Sequence, residues 1–130
     1  MAAKGGRVQV EGAKELRRAM KHMGADLKDM QRTNKAAAQP VSDRAREIVP
    51  RLTGTLASSI RPTASQKEGA VLAGSRSVPY AGPIHFGWPS RNIEPHPFLY
   101  DALDDRRDQV VEVYEARVEA LVRKLDRETP

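Results

Sequence analysis

His85, Glu94 and His96 lie within one short stretch, VPYAGPIHFGWPSRNIEPHPFLYDAL (residues 78–103), and a histidine beside a carboxylate is the least that general acid–base chemistry requires. The spacing carries little beyond that. His22 is the third histidine, and none of the three has a histidine or cysteine at a zinc-binding offset. Ser58 and Ser59 stand in no nucleophile-elbow pattern, and the glycines form neither GxGxxG nor a phosphate-binding loop with its Lys and Ser/Thr. With no cysteine in the chain, disulfides, thiolate metal sites and cysteine nucleophiles are excluded, and the composition fits assembly in a reducing cytoplasm. The histidines read better as packing or surface residues. No catalytic residue, no metal site and no cofactor is expected, and the chain does not read as an enzyme.

Basic side chains are the other candidate chemistry. Arg17, Arg18, Lys21, Lys28, Arg32 and Lys35 could track phosphates, but no recognition motif or stacked aromatic pattern accompanies them. A solvated face is the preferred reading, with nucleic-acid binding as the alternative. The net charge of +5 is unevenly placed: residues 1–100 hold 16 Lys and Arg against 8 Asp and Glu, whereas residues 101–130 hold 6 against 9. A basic body with an acidic tail attracts nucleic acid, or a copy of itself head to tail.

The elements that position these residues follow from periodicity. At 130 residues the chain predicts one domain, 1–130, whose core is lean in aromatics, at 5 %. No apolar h-region opens the sequence and no apolar run approaches ~20 residues, so no membrane contact is expected. Val8 and Val10 predict a short strand before Gly12. A helical region then covers 12–49. Leu16, Met20, Met23, Leu27 and Met30 recur at spacings of four and three, with the methionines read as core, and Ala37, Val41, Ala45, Ile48 and Leu52 continue the series. Pro40 is expected to kink or restart the helix and Pro50 to close it.

Residues 53–87 predict a short helix and a hairpin. Thr53 offers a capping hydroxyl, Gly54 sets the direction, and Leu56 and Ile60 lie four apart. Residues 63–65 and 70–73 flank QKEG, where Gly69 is expected to supply a positive φ. Residues 88–96 predict a projecting loop: Gly87 permits a turn, Trp88 and Pro89 stiffen it, and its tip is polar. Pro95 and Pro97 fix the entry into a long helix, 97–126, and Phe98 pins that entry to the core. Tyr114 and Leu121 continue the apolar stripe, which Arg106 interrupts. Such a helix is roughly 40 to 45 Å long, against a domain diameter of about 30 Å, and is expected to overhang the body or lie against a neighbour. The fold class is α+β: a small, mainly antiparallel sheet packed by N-terminal helices, with one long C-terminal helix.

Two motifs carry a family resemblance. IVPRLTGTLASSI, residues 48–60, follows the pattern aP…TG.L..SI, and residues 79–103 follow Y…FG…P.PFL..AL. Between Val10-x-Gly12-x-x-Glu15-Leu16 and the charged C-terminal helix, they resemble the tail-completion, or head-to-tail joining, proteins of long-tailed bacteriophages over nearly the whole chain. The match falls on Pro50, Thr53, Gly54, Leu56, Ser59, Ile60, Tyr80, Phe86, Gly87, Pro95, Pro97, Phe98, Leu99, Ala102 and Leu103. It departs at His85, where the family has an acidic residue, and at Trp88, where it has a small hydroxylated one. The resemblance implies a non-enzymatic virion protein, assembled in the host cytoplasm. Its partners would be copies of itself in a six- or twelve-fold ring, neighbouring connector, tail-terminator or tail-tube proteins, and DNA passing through the lumen without sequence recognition. The interface and structural residues it suggests are Thr53, Gly54, Gly87, Trp88, Pro95, Pro97, Phe98, Tyr114 and Leu121. Trp88 is expected to be exposed in the free subunit and covered on assembly; the alternative is a ring folded onto its own core.

Overall fold

The computed structural model describes residues 13–50 and 54–128. The expected strand at Val8 and Val10, Gly12 and the capping role of Thr53 lie outside the described residues.

Helix α1 (Ala13–His22) buries Ala13 and Met20. It stops at Gly24, which takes φ +85°. The Ala25 amide donates to the Met20 carbonyl (3.0 Å) and the Gly24 amide to that of Lys21 (3.1 Å), the paired bonds of a Schellman ending. Two residues later Asp26 starts α2 (Leu27–Ile48), its Oδ1 accepting from the Asp29 amide at 2.7 Å. The N-terminal region therefore breaks at 24–26 and not at Pro40, which lies inside α2. Pro40 costs one helical hydrogen bond, but the carbonyl left without its amide belongs to Ala36, an exposed residue that water can reach. The break also resets the apolar phase. Met30 stays in the core, while Leu27 is 56 % exposed and does not share a buried face with the methionines.

Val49 is buried at the end of α2, and Pro50 prevents continuation. Helix α3 (Thr55–Ser59) has Gly54 at its N-cap position with φ +81°, a conformation that favours glycine. Strands β1 (Arg61–Ala64) and β2 (Gly69–Leu72) pair antiparallel, with Arg61 opposite Leu72 and Ala64 opposite Gly69. Gly69 is not a positive-φ turn residue as expected. A β-carbon there would collide with the Asn34 carbonyl oxygen of α2. Its lack of a side chain serves close packing of strand on helix.

After α4 (Ala81–Phe86) and a single 3₁₀ turn (Pro89–Arg91) the chain enters α5 (Phe98–Glu128). Its 31 residues make a rod of about 46 Å. The most extensive contact in the molecule joins α2 to α5, with α1 on α5 and the hairpin on α2. Met20, Ile60, Phe98, Ala102 and Tyr114 fill the centre. Burying a side chain the size of Met20 or Ile60 stabilises the fold by about 1.5–3 kcal/mol. Residues 122–128 of α5 are all exposed. The architecture is α+β: a two-stranded antiparallel sheet, N-terminal helices packed with it, and one long C-terminal helix.

Candidate functional site

The stretch from Gly87 to Phe98 is built by close backbone approach. Gly87 caps α4 with its amide on the Pro83 carbonyl (2.7 Å) and turns the chain at φ +81°. A β-carbon on Gly87 would sit 2.9 Å from both Cδ and N of Pro95. Two residues singled out in the sequence are thus each other's neighbours. Between them the loop doubles back: the Trp88 amide donates to the Ile93 carbonyl (2.8 Å) and the Ile93 amide returns to Trp88 (3.1 Å). Trp88 is 44 % exposed, and the Arg91 guanidinium lies 5.1 Å above its ring. Arg91 thus gives the indole a cation–π partner from within its own loop. The His96 amide donates to the Ile84 carbonyl (2.8 Å), tying the loop's exit to α4. Pro97 offers its carbonyl to the Asp101 amide (2.9 Å), and Phe98 is fully buried.

His85 belongs to this unit as a packing ring. It is 3 % exposed, and both ring nitrogens lack a hydrogen-bond partner. Its neighbours are aromatic edges, with centroids at 4.4 Å to Phe86, 4.5 Å to Tyr100 and 5.1 Å to Phe98. Neither His85 nor His96 hydrogen-bonds to Glu94, which is exposed. Desolvation pushes the imidazole pKa below its usual value, aided by His96 and opposed by Asp101. A neutral imidazole takes the place of a hydrocarbon at this position.

Tyr114 and Leu121 lie further along α5, away from the loop, and both are buried. Tyr114 closes a network that the sequence reading missed. Its hydroxyl donates to Asn34 Oδ1 (2.5 Å) and accepts from Arg17 (3.3 Å), whose guanidinium lies 5.5 Å from the ring centroid. Asn34, fully buried, donates through Nδ2 to the carbonyls of Ser65 (3.0 Å) and Gln66 (3.2 Å) in the hairpin turn. Burial raises the Tyr114 pKa, and the Arg17 hydrogen bond partly offsets this. One phenol therefore joins α1, α2 and α5 to the hairpin. The signal in the sequence was an asparagine set on the apolar stripe of α2 between Met30 and Ala37.

Two charged faces complete the surface. Lys28, Arg32 and Lys35 share one face of α2 by their spacing, all exposed, and Lys14, Arg18 and Lys21 share one face of α1. None of the six forms an ion pair among the described residues. On α5, Asp108, Glu112, Glu115 and Glu119 recur at four, three and four, all exposed, and among the described residues only Glu119 has a cation partner, Arg123 at 3.5 Å. An open groove of about 390 Å³ runs between α2 and α5, lined by Arg32, Thr33, Ala36, Val113, Ala116 and Ala120. Across it Arg117 holds Asp29 through two hydrogen bonds, at 2.8 and 3.0 Å. Nearer the other end of α2, Arg44 pairs with Asp105 at 2.8 Å.

Among the described residues no three His, Asp or Glu side chains gather as a metal cluster, and no helix is long and apolar enough to cross a membrane. Comparisons with family models, with curated proteins and with solved structures return no match for this chain.

Proposed function

We propose that the chain is a structural virion protein, a ring-forming subunit of the neck that joins a phage head to its tail around the DNA channel. The observation that carries this reading is the joint order and spacing of the two motifs in residues 48–60 and 79–103. Their geometry supports it. Leu56, Ile60, Phe98 and Ala102 from the motifs are core residues, Gly87 packs on Pro95, and the residues between, Trp88 to Glu94, form a compact exposed loop on a rigid base. In this reading the arrangement serves positioning, its two ends being fixed by Gly87 against Pro95 and by the His96 amide on the Ile84 carbonyl. In this role the subunit contacts copies of itself and adjoining connector or tail proteins, and DNA passes without sequence readout.

Negative-stain electron microscopy and sedimentation of the full chain test the proposal. Discrete rings of six or twelve copies with an open centre, and weak, salt-labile DNA affinity, are expected. A monomer whose DNA affinity falls steeply with salt would overturn it in favour of a basic nucleic-acid-binding protein. That second reading rests on the exposed row Lys28, Arg32, Lys35 and its counterpart on α1.

A further inference from the structure

The charged rows on α2 and α5 are each self-repelling. Like charges three and four residues apart on a helix destabilise it, and opposite charges at that spacing stabilise it. The chain uses that relief elsewhere on α5: Arg107 reaches Asp104 at 2.6 Å and Arg123 reaches Glu119 at 3.5 Å. No cation meets Asp108, Glu112 or Glu115 among the described residues, and no carboxylate meets Lys28, Arg32 or Lys35. Among the described residues the two rows form no ion pair with each other within a single copy. They stand on different helices, beside a groove lined by Arg32, Ala36, Ala116 and Ala120 and bridged by the Asp29–Arg117 pair.

We infer that the acidic row of α5 docks on the basic row of α2 in a second copy of this chain. The match is one of length as well as sign: Asp108 to Glu115 and Lys28 to Lys35 each span about 10 Å at 1.5 Å per residue. A donor face on one helix and an acceptor face on another make the contact heterologous, so each copy offers one row to each of two neighbours. The inference rests on the reading of the chain as a self-assembling subunit, and it names the surface that reading leaves open.

Full-length chains with one row reversed test it by sedimentation velocity at low and high salt. Asp108→Lys with Glu112→Lys and Glu115→Lys should weaken self-association by at least about ten-fold, and Lys28→Glu with Arg32→Glu and Lys35→Glu should do the same. All six side chains are exposed and lack ion pairs, so circular dichroism should show both variants folded. An equimolar mixture of the two should associate, and a chain carrying all six reversals should recover self-association. Reversed variants that assemble like the parent, or a sixfold swap that stays dispersed, overturn this contact while leaving ring formation standing. A parent chain that remains monomeric at low salt and binds duplex DNA through the basic row overturns the contact and the ring reading together.

Discussion

His85 and Gly69 show how single residues take roles that their types do not announce. The unfolded chain protonates His85 near the ordinary value of about 6.5, while the folded chain resists the proton because the ring is desolvated. Between those two pKa values the unfolded state binds more protons. The contribution of His85 is therefore fully present above about pH 6.5 and is lost as pH falls through that value toward the lower folded pKa. Urea midpoints measured from pH 8 to pH 5 should drop, and His85→Leu should flatten that part of the profile; an unchanged slope would place the titration elsewhere. At Gly69 the prediction is steric. Gly69→Ala pushes a methyl group into a backbone carbonyl that cannot rotate away, and a loss of about 1–3 kcal/mol is expected from denaturant unfolding.

Between elements, the long helix and the helical break were the clearest tests of what the sequence reveals. The apolar stripe Leu99, Leu103, Val110, Tyr114, Val118, Leu121 and Leu125 placed α5 within two residues at its far end, and the segments flanking QKEG placed the hairpin within two residues. The break at 24–26 was equally written, in HMGADLKD, as a C-terminal glycine followed by an N-terminal aspartate. It was hidden because the apolar spacing runs on through Met23, Leu27 and Met30, whereas Pro40 drew the boundary to itself. Contacts such as Tyr114 with Asn34 join residues 80 apart in sequence and leave no local signature. Burial also fixes where α5 can be cut. Among the described residues, those after Leu121 are all exposed, and removing them should leave thermal stability nearly unchanged. Ending the chain after Arg117 also removes the buried Leu121, at about 2–5 kcal/mol as for a large-to-small core change.

At the scale of the whole molecule, the half-exposed indole and the exposed end of α5 are surfaces that a neighbouring copy can reach. Trp88 is the only tryptophan, so its fluorescence reports one place. Emission should be red-shifted in the dispersed subunit and move to shorter wavelength on assembly. Trp88→Ala should weaken assembly by about 2 kcal/mol or more while leaving the denaturation midpoint of the subunit within about 0.5 kcal/mol of the parent. An emission spectrum that does not move on assembly would remove this loop from the contacts between subunits.

The bond from Asn34 to the hairpin turn also sets an order in time. Two strands of four residues have marginal stability alone, so β1 and β2 persist because α2 holds their turn through Asn34 and, at Ala64, through Gln31 at 3.1 Å. Asn34 is held in turn by Tyr114 on α5. The hairpin thus leans on the helix pair, and it should be the last element to form and the first to open. Native-state hydrogen exchange should show the β1–β2 amides opening with a lower free energy than the central α2 amides. In Tyr114→Phe, which leaves Asn34 Oδ1 without its donor at a cost of about 1–3 kcal/mol, the hairpin amides should exchange faster still relative to those of α2.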